Sequence, residues 1–176
     1  NAQEPGGSWL LSEYVRAESP TGPEYVLAAL ELADRLSELP APTGGPAPTT
    51  WKAPRRTLPL RLTRLVVAGL PVRTWRAVRA SALALPSQVC AHGDFYFRNV
   101  LWTGTSGGIR LVDWEYLGRS ARYADPLRLW STLKDSADRD LLIDTLLRNA
   151  KDEDRRQIGL LAHWLGLRLF AENVSA

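Results

Sequence analysis

Three strand-length apolar runs, "QVCAH", "RNVLWT" and "IRLVDW", lie close together between residues 88 and 114, in a chain whose other apolar residues recur mostly at helical spacing. This contrast restricts the fold more than any other feature. Runs this short are read as strands, and "GTSGG" between the second and third reads as a hairpin turn. On either side the period changes. "TGPEYVLAALELADRLSEL" predicts a helix with Thr21 and Glu24 at capping-box spacing, Pro23 in the first turn, and Val26, Leu27, Leu30 and Leu36 as its apolar stripe. Residues 58–85 predict two helices broken near Gly69, Leu70 and Pro71, with Leu62, Leu65 and Val66 buried on the first and Trp75 and Val78 on the second. "RRQIGLLAHWLGLRLF" puts Ile158, Leu161, Leu165 and Leu169 on one helical face. Near the front, "SWLLSEYV" reads as a short buried strand, and residues 40–50 form a loop dense in Pro and Gly. The expected fold class is α+β, mostly α: a single domain over residues 1–176 in which helices surround a small strand cluster.

Composition narrows what such a domain can do. A chain of 176 residues with 45% hydrophobic and 23% charged residues can bury a real core. Most of its seven Trp are expected there. The net charge of +3 comes from scattered Arg, with no compact basic block to track a phosphate backbone, so no nucleic-acid partner is expected. Cys90 is the lone cysteine, which excludes an internal disulfide, and one Cys with two His cannot assemble a standard zinc site. No apolar run has the length of a membrane span and no signal peptide is evident, which favours a cytoplasmic protein without a membrane partner. The chain contains no Met and opens on Asn1, which leads us to expect a processed chain or a fragment.

The chemistry concentrates around the strands. Asp94 and Asn99 stand five residues apart in the loop between the first two, and Asp113 ends the third. Two carboxylates and an amide oxygen are hard donors that suit Mg2+, which takes few protein ligands and completes its shell with phosphates. Phosphoryl transfer needs such a set: one group to orient the acceptor hydroxyl, others to hold metal on the donor. The plainer alternative is that each residue caps a turn at a strand end. Likewise His92 alone reads as a structural histidine. Gly104-Thr105-Ser106-Gly107-Gly108 formally satisfies G-x-S-x-G, but a nucleophile elbow needs a helix after it and a strand-like run follows instead. Asn173-Val174-Ser175 fits a glycosylation acceptor without any secretory context.

Taken together, "HGDFYFRN" (residues 92–99), "LVDWEYLG" (111–118) and "RYADPLRLW" (122–130) resemble, in order and spacing, the catalytic loop, metal-binding segment and following helix of aminoglycoside phosphotransferases and choline kinases, small-molecule relatives of protein kinases. The resemblance implies the C-terminal lobe of a protein-kinase-like fold, with the strand cluster carrying the catalytic loop. It implies ATP and Mg2+ as cofactors, a nucleotide and a small-molecule acceptor as partners, and transfer of the γ-phosphoryl group to a hydroxyl of an aminoglycoside, choline or similar metabolite. Asp94 would be the catalytic base. Asn99 and Asp113 would hold the metal, His92 would brace the loop, and Glu115 would support the metal or the loop. "WLLSEYV" is similar to the strand entering the hinge, so residues 1–15 would be the hinge region, with Glu13, Tyr14 and Val15 meeting adenine through backbone groups, and residues 40–56 a flexible loop. Asp125 would open a helix.

One departure bears on activity. Only residues 1–8 precede the presumed hinge, and Lys52 follows it, so the phosphate-covering N-lobe with its strand Lys is expected to be largely absent and this chain alone inactive. A non-catalytic, pseudokinase-like binding or scaffold module is the alternative. Asp135, Asp138, Asp140, Asp152, Glu153 and Asp154 read either as an acidic acceptor side or as solvated helix caps, the latter preferred. The acceptor and the oligomeric state are left open by the sequence.

Overall fold

The computed structural model describes residues 21–41, 63, 64, 66, 69, 71–86, 88–104, 108–148 and 150–173, the last three as backbone only. The expected hinge strand with Glu13, Tyr14 and Val15, the loop at 42–50, Leu62, Leu65 and Lys52 lie outside the described residues. The described elements run α1 (Pro23–Glu38), α2 (Val72–Leu83), β1 (Val89–Ala91), β2 (Val100–Trp102), β3 (Ile109–Leu111), a 3-10 turn (Trp114–Tyr116), β4 (Gly118–Ser120), α3 (Ala124–Trp130), α4 (Ser136–Arg148) and α5 (Asp152–Asn173). The architecture is mostly helical α+β, compatible with a kinase-like lobe.

The strands do not form one cluster. Among the described residues β2 pairs antiparallel with β3, Val100 opposite Leu111, while β1 pairs antiparallel with β4, Val89 opposite Ser120. The β4 partner was not anticipated, because "GRS" carries neither apolar alternation nor β-branched residues. The expected hairpin forms between β2 and β3; of its turn Thr103, Gly104 and Gly108 are described, and residues 105–107 lie outside the described residues. Thr103 N–H donates to the Gly108 carbonyl at 3.0 Å and Gly108 N–H to that of Gly104 at 2.9 Å, with Gly108 at φ 72°. A strand follows this segment, so the helix that a serine nucleophile elbow requires is not there.

Helix α1 starts as its Pro predicts, but the capping box does not form. Gly22 at φ 93° is the N-cap, without a side-chain cap hydrogen bond. The Gly22 N–H is instead taken by Asp138 Oδ2 at 3.0 Å, from 116 residues away. The core face of α1 is Tyr25, Val26, Ala29, Ala33 and Leu36; Leu27 is 48% exposed, contrary to its expected place in the stripe. Ala at 29 and 33 lets α1 lie close against β1, α3 and α4. Trp75 is buried on α2 as expected, and Val66 is 52% exposed, not buried. Trp75 and Trp164 form a tilted pair in the buried interior, whereas Trp114 is 47% exposed, so the Trp residues do not all go to the core.

Two apolar clusters meet along α3. Ala124 and Leu127 join Trp75, Ile158, Leu161, Trp164 and Leu165, on the side packed by α2 and α5. Leu129 joins Tyr25, Val26, Phe95, Val100 and Leu142 on the other. Residues two apart on a helix point about 200° apart, so "ADPLRLW" feeds both clusters and keeps Asp125 and Arg128, three apart, on one shared face. That face meets the loop after β1. Among the described residues, no helix is long and apolar enough to cross a membrane.

Candidate active site

β1 ends at Ala91 and leads directly into His92, Gly93 and Asp94. The backbone there is held from α3. Asp125, 5% exposed, accepts the His92 N–H on Oδ2 at 2.6 Å and the Gly93 N–H on Oδ1 at 3.0 Å. Burial pushes the Asp125 carboxyl up to about 6, and the two donated N–H groups pull against that rise. Sequence reasoning gave Asp125 only the opening of a helix. Its real task is to bind the main chain just before Asp94, and the signal was an acidic residue inside an otherwise apolar helical stretch.

His92 links the loop to the residue after β3. Its ring is fully buried, donates from Nε2 to the Val112 carbonyl at 2.9 Å, and packs edge-on against Phe95 and Trp114. Burial lowers its pKa, opposed by the Val112 carbonyl, and Nδ1 has no hydrogen-bond partner among the described residues. A buried ring whose Nε2–H is committed to the Val112 carbonyl ties the loop to the hairpin. The Cys90 thiol is pushed up by burial and by Asp125, which keeps it an inert core residue.

Asp94 and Asn99 are in direct contact. Asn99, 5% exposed, donates from Nδ2 to the Asp94 backbone oxygen at 3.0 Å and to Asp94 Oδ2 at 3.3 Å. Both bonds use the amide nitrogen, so the neutral Oδ1 takes no part in them. The other Asp94 oxygen, Oδ1, lies 3.7 Å from Arg128 Nη2. The β2–β3 pairing runs one step further through Val112 N–H to the Asn99 carbonyl, 3.0 Å, which puts Asp113 at the same end of the hairpin as Asn99. Asp113 stands in the left-handed region, φ 64° and ψ 63°, the one non-Gly residue with positive φ among those described. That conformation costs an ordinary residue about 1–2 kcal/mol and is less severe for Asp. Asp94 and Asp113 are both close enough to His92 and Tyr116 to raise those groups' pKa values. The Glu115 carboxylate, next to it in sequence, holds the Tyr116 phenol above its ordinary value.

This donor set is one amide oxygen and exposed or half-exposed carboxylates, and no group of three or more His, Cys, Asp or Glu gathers for a metal among the described residues. A set so sparse fits Mg2+, which needs one or two protein oxygens and takes the rest from water and phosphate. Two hollows lie nearby in the fold. A cleft of about 530 Å³ is lined by Leu30, Asp34, Arg122, Tyr123 and Asp154 and contains none of the loop residues. A smaller one of about 130 Å³ borders the loop at Phe97, with Thr132, Lys134, Asp135 and Asp138 around it. Of the acidic residues read as solvated caps, Asp135 does cap, accepting the Ala137 N–H at 2.8 Å, while Asp138 is buried.

Residues 1–161 match a family model described as the phosphotransferase enzyme family (APH). No curated protein matches the chain. The matched span includes the loop from His92 to Asn99, the turn at Asp113 and the helix carrying Asp125, so this chain belongs to the phosphotransferase enzyme family.

Proposed function

We propose that this chain carries the catalytic loop of an ATP- and Mg2+-dependent phosphotransferase that moves a γ-phosphoryl group to the hydroxyl of a small molecule. Family membership supports the reaction class, and such phosphotransferases are generally ATP- and Mg2+-dependent. The observation that carries the reading is the Asp94–Asn99 contact at the open end of the β2–β3 hairpin, with Asp113 beside it. In this reading Asp94 is the catalytic base. Its carboxylate is 23% exposed, held by Asn99 on Oδ2, and accepts the proton of the acceptor hydroxyl as the oxygen attacks phosphorus. Asn99 Oδ1 and the Asp113 carboxylate are the oxygens that would hold Mg2+; bound there, the ion neutralises charge on the nucleotide phosphates. His92 and Asp125 keep the loop backbone in place, so that Asp94 is not reoriented at each turnover. Acceptor identity, whether an aminoglycoside, choline or another hydroxylated metabolite, belongs to the small hollow at Phe97, where Lys134 and Asp135 offer charge of both signs.

The test is transfer of labelled γ-phosphate from MgATP to a panel of hydroxylated acceptors, comparing the wild type with Asp94→Asn. Label on one acceptor, lost in the variant while ATP still binds, is the expected result. Equal transfer by both proteins would remove Asp94 from the role. ATP binding without transfer to any acceptor or to water would favour the pseudokinase-like module.

A further inference from the structure

The residue that stands on the free side of the Asp94 carboxylate comes from outside the loop. Arg128, one helical turn beyond Asp125 on α3, places Nη2 3.7 Å from Asp94 Oδ1, and its guanidinium lies 5.8 Å over the centre of the Tyr96 ring. Both charged side chains are largely shielded, 18% and 23% exposed, so their attraction is less screened than that of a surface pair. The separation is that of an ion pair and exceeds hydrogen-bond length, so Oδ1 can still accept a hydrogen bond from another group.

Three contacts therefore fix one carboxylate. Asp125 holds the backbone of His92 and Gly93, Asn99 holds Oδ2, and Arg128 attracts Oδ1. Two of the three come from one face of α3, which is itself seated between the two apolar clusters. We propose that Arg128 is a positioning residue: its charge holds the plane of the Asp94 carboxylate so that Oδ1 faces the acceptor hydroxyl, and Tyr96 keeps the guanidinium at that station. A planar cation within cation–π reach of an aromatic ring has fewer favourable orientations than a flexible ammonium. This rests on the phosphotransferase reading of Asp94.

The experiment uses Arg128→Met, which keeps most of the buried stem, and Arg128→Lys, which restores the charge. The first readout needs no turnover: the side-chain amide resonances of Asn99 in nitrogen-15 spectra, which report the Asp94 carboxylate that Asn99 holds. They should shift in Arg128→Met and return part of the way in Arg128→Lys. The second readout is ADP release from MgATP with water as acceptor, where Arg128→Met should lower kcat roughly 10- to 100-fold, the size expected for a misaligned catalytic group, and leave KM for ATP within about twofold. Arg128→Lys should recover part of the loss. Asn99 resonances unchanged in Arg128→Met, or turnover equal to wild type, would overturn the proposal. A wild-type protein that releases no ADP and labels no acceptor would instead remove the phosphotransferase reading itself, and that is established before any variant is compared.

Discussion

The two antiparallel pairs beside the loop are assembled in opposite ways. β2 meets β3 across one short turn, and their register is fixed by Thr103, Gly104 and Gly108. β1 meets β4 only after the chain has passed through the loop, the whole β2–β3 hairpin and the 3-10 turn. The local pair delivers Asn99 and Asp113, the oxygens suited to metal. The non-local pair delivers His92 and Asp94, and its loop-closure cost has to be offset by contacts from elsewhere. That is why α3 sends Asp125 to bind two N–H groups there, while the hairpin, its register set by the turn, receives from α1 the Tyr25 hydroxyl on the Val100 carbonyl at 3.3 Å. The Asn99 and Asp113 side is thus set mainly by a local turn, and the Asp94 side by a helix from later in the chain.

Substitutions can separate the two sides. The largest effect is expected at Asp94: Asp94→Asn should lower turnover about 10²- to 10⁴-fold, the contribution of a general base, with ATP binding by calorimetry unchanged. Next is Asp125→Ala, which leaves two buried N–H groups without an acceptor. At about 1–3 kcal/mol each, partly offset by removing a buried charge, the net loss should be about 2–4 kcal/mol in urea unfolding. Faster amide exchange should appear at His92 and Gly93 and spare the β2–β3 amides. Equal exchange in both pairs would break the comparison.

The same carboxyl gives a pH prediction. Asp125 titrates near 6 in the folded protein against an ordinary 3.8, so between those values the folded state holds a proton that the unfolded chain has released. Its contribution is fully present below pH 3.8 and is lost as pH rises through about 6, on the order of 3 kcal/mol over the window at about 1.4 kcal/mol per pH unit. His92 acts in the opposite sense. Burial lowers its pKa, so its contribution falls as the pH drops below the ordinary 6.5. Unfolding midpoints of wild type and Asp125→Asn between pH 4 and 7 should converge or cross as pH rises; parallel curves would contradict the assignment.

The smallest effects belong to the hairpin. Asp113→Gly should leave stability within about 1 kcal/mol, because Gly accepts the left-handed backbone that Asp113 occupies. It should still abolish any metal-dependent step, which separates stability from function at one position. Gly108→Ala should cost about 1 kcal/mol from backbone strain alone, since nothing lies within 4 Å of an added Cβ, and should not alter nucleotide binding.

How much of this was legible in the sequence follows the same division. The β2–β3 hairpin, α1, Trp75, and the Ile158, Leu161 and Leu165 face of α5 were readable because each signal is local: a turn, a Pro or a helical period. β4 was not, because "GRS" owes its strand geometry to β1 and not to its own residues. The cap of α1 was misread for the same reason: Thr21 matched a local motif, yet the Gly22 N–H is satisfied by Asp138 across the fold. The positions of Asp94, Asn99 and Asp113 followed from spacing. What holds Asp94 did not, since Asp125 and Arg128 act through tertiary contacts that spacing does not encode.

The most direct test of the central claim is calorimetric titration of the chain with ATP, with and without Mg2+, beside Asp113→Ala. The account predicts binding that is strengthened at least about tenfold by Mg2+ in the wild type and that loses this strengthening in the variant, a difference of about 1.4 kcal/mol or more. ATP binding that is the same with and without Mg2+, and the same in Asp113→Ala, would contradict it.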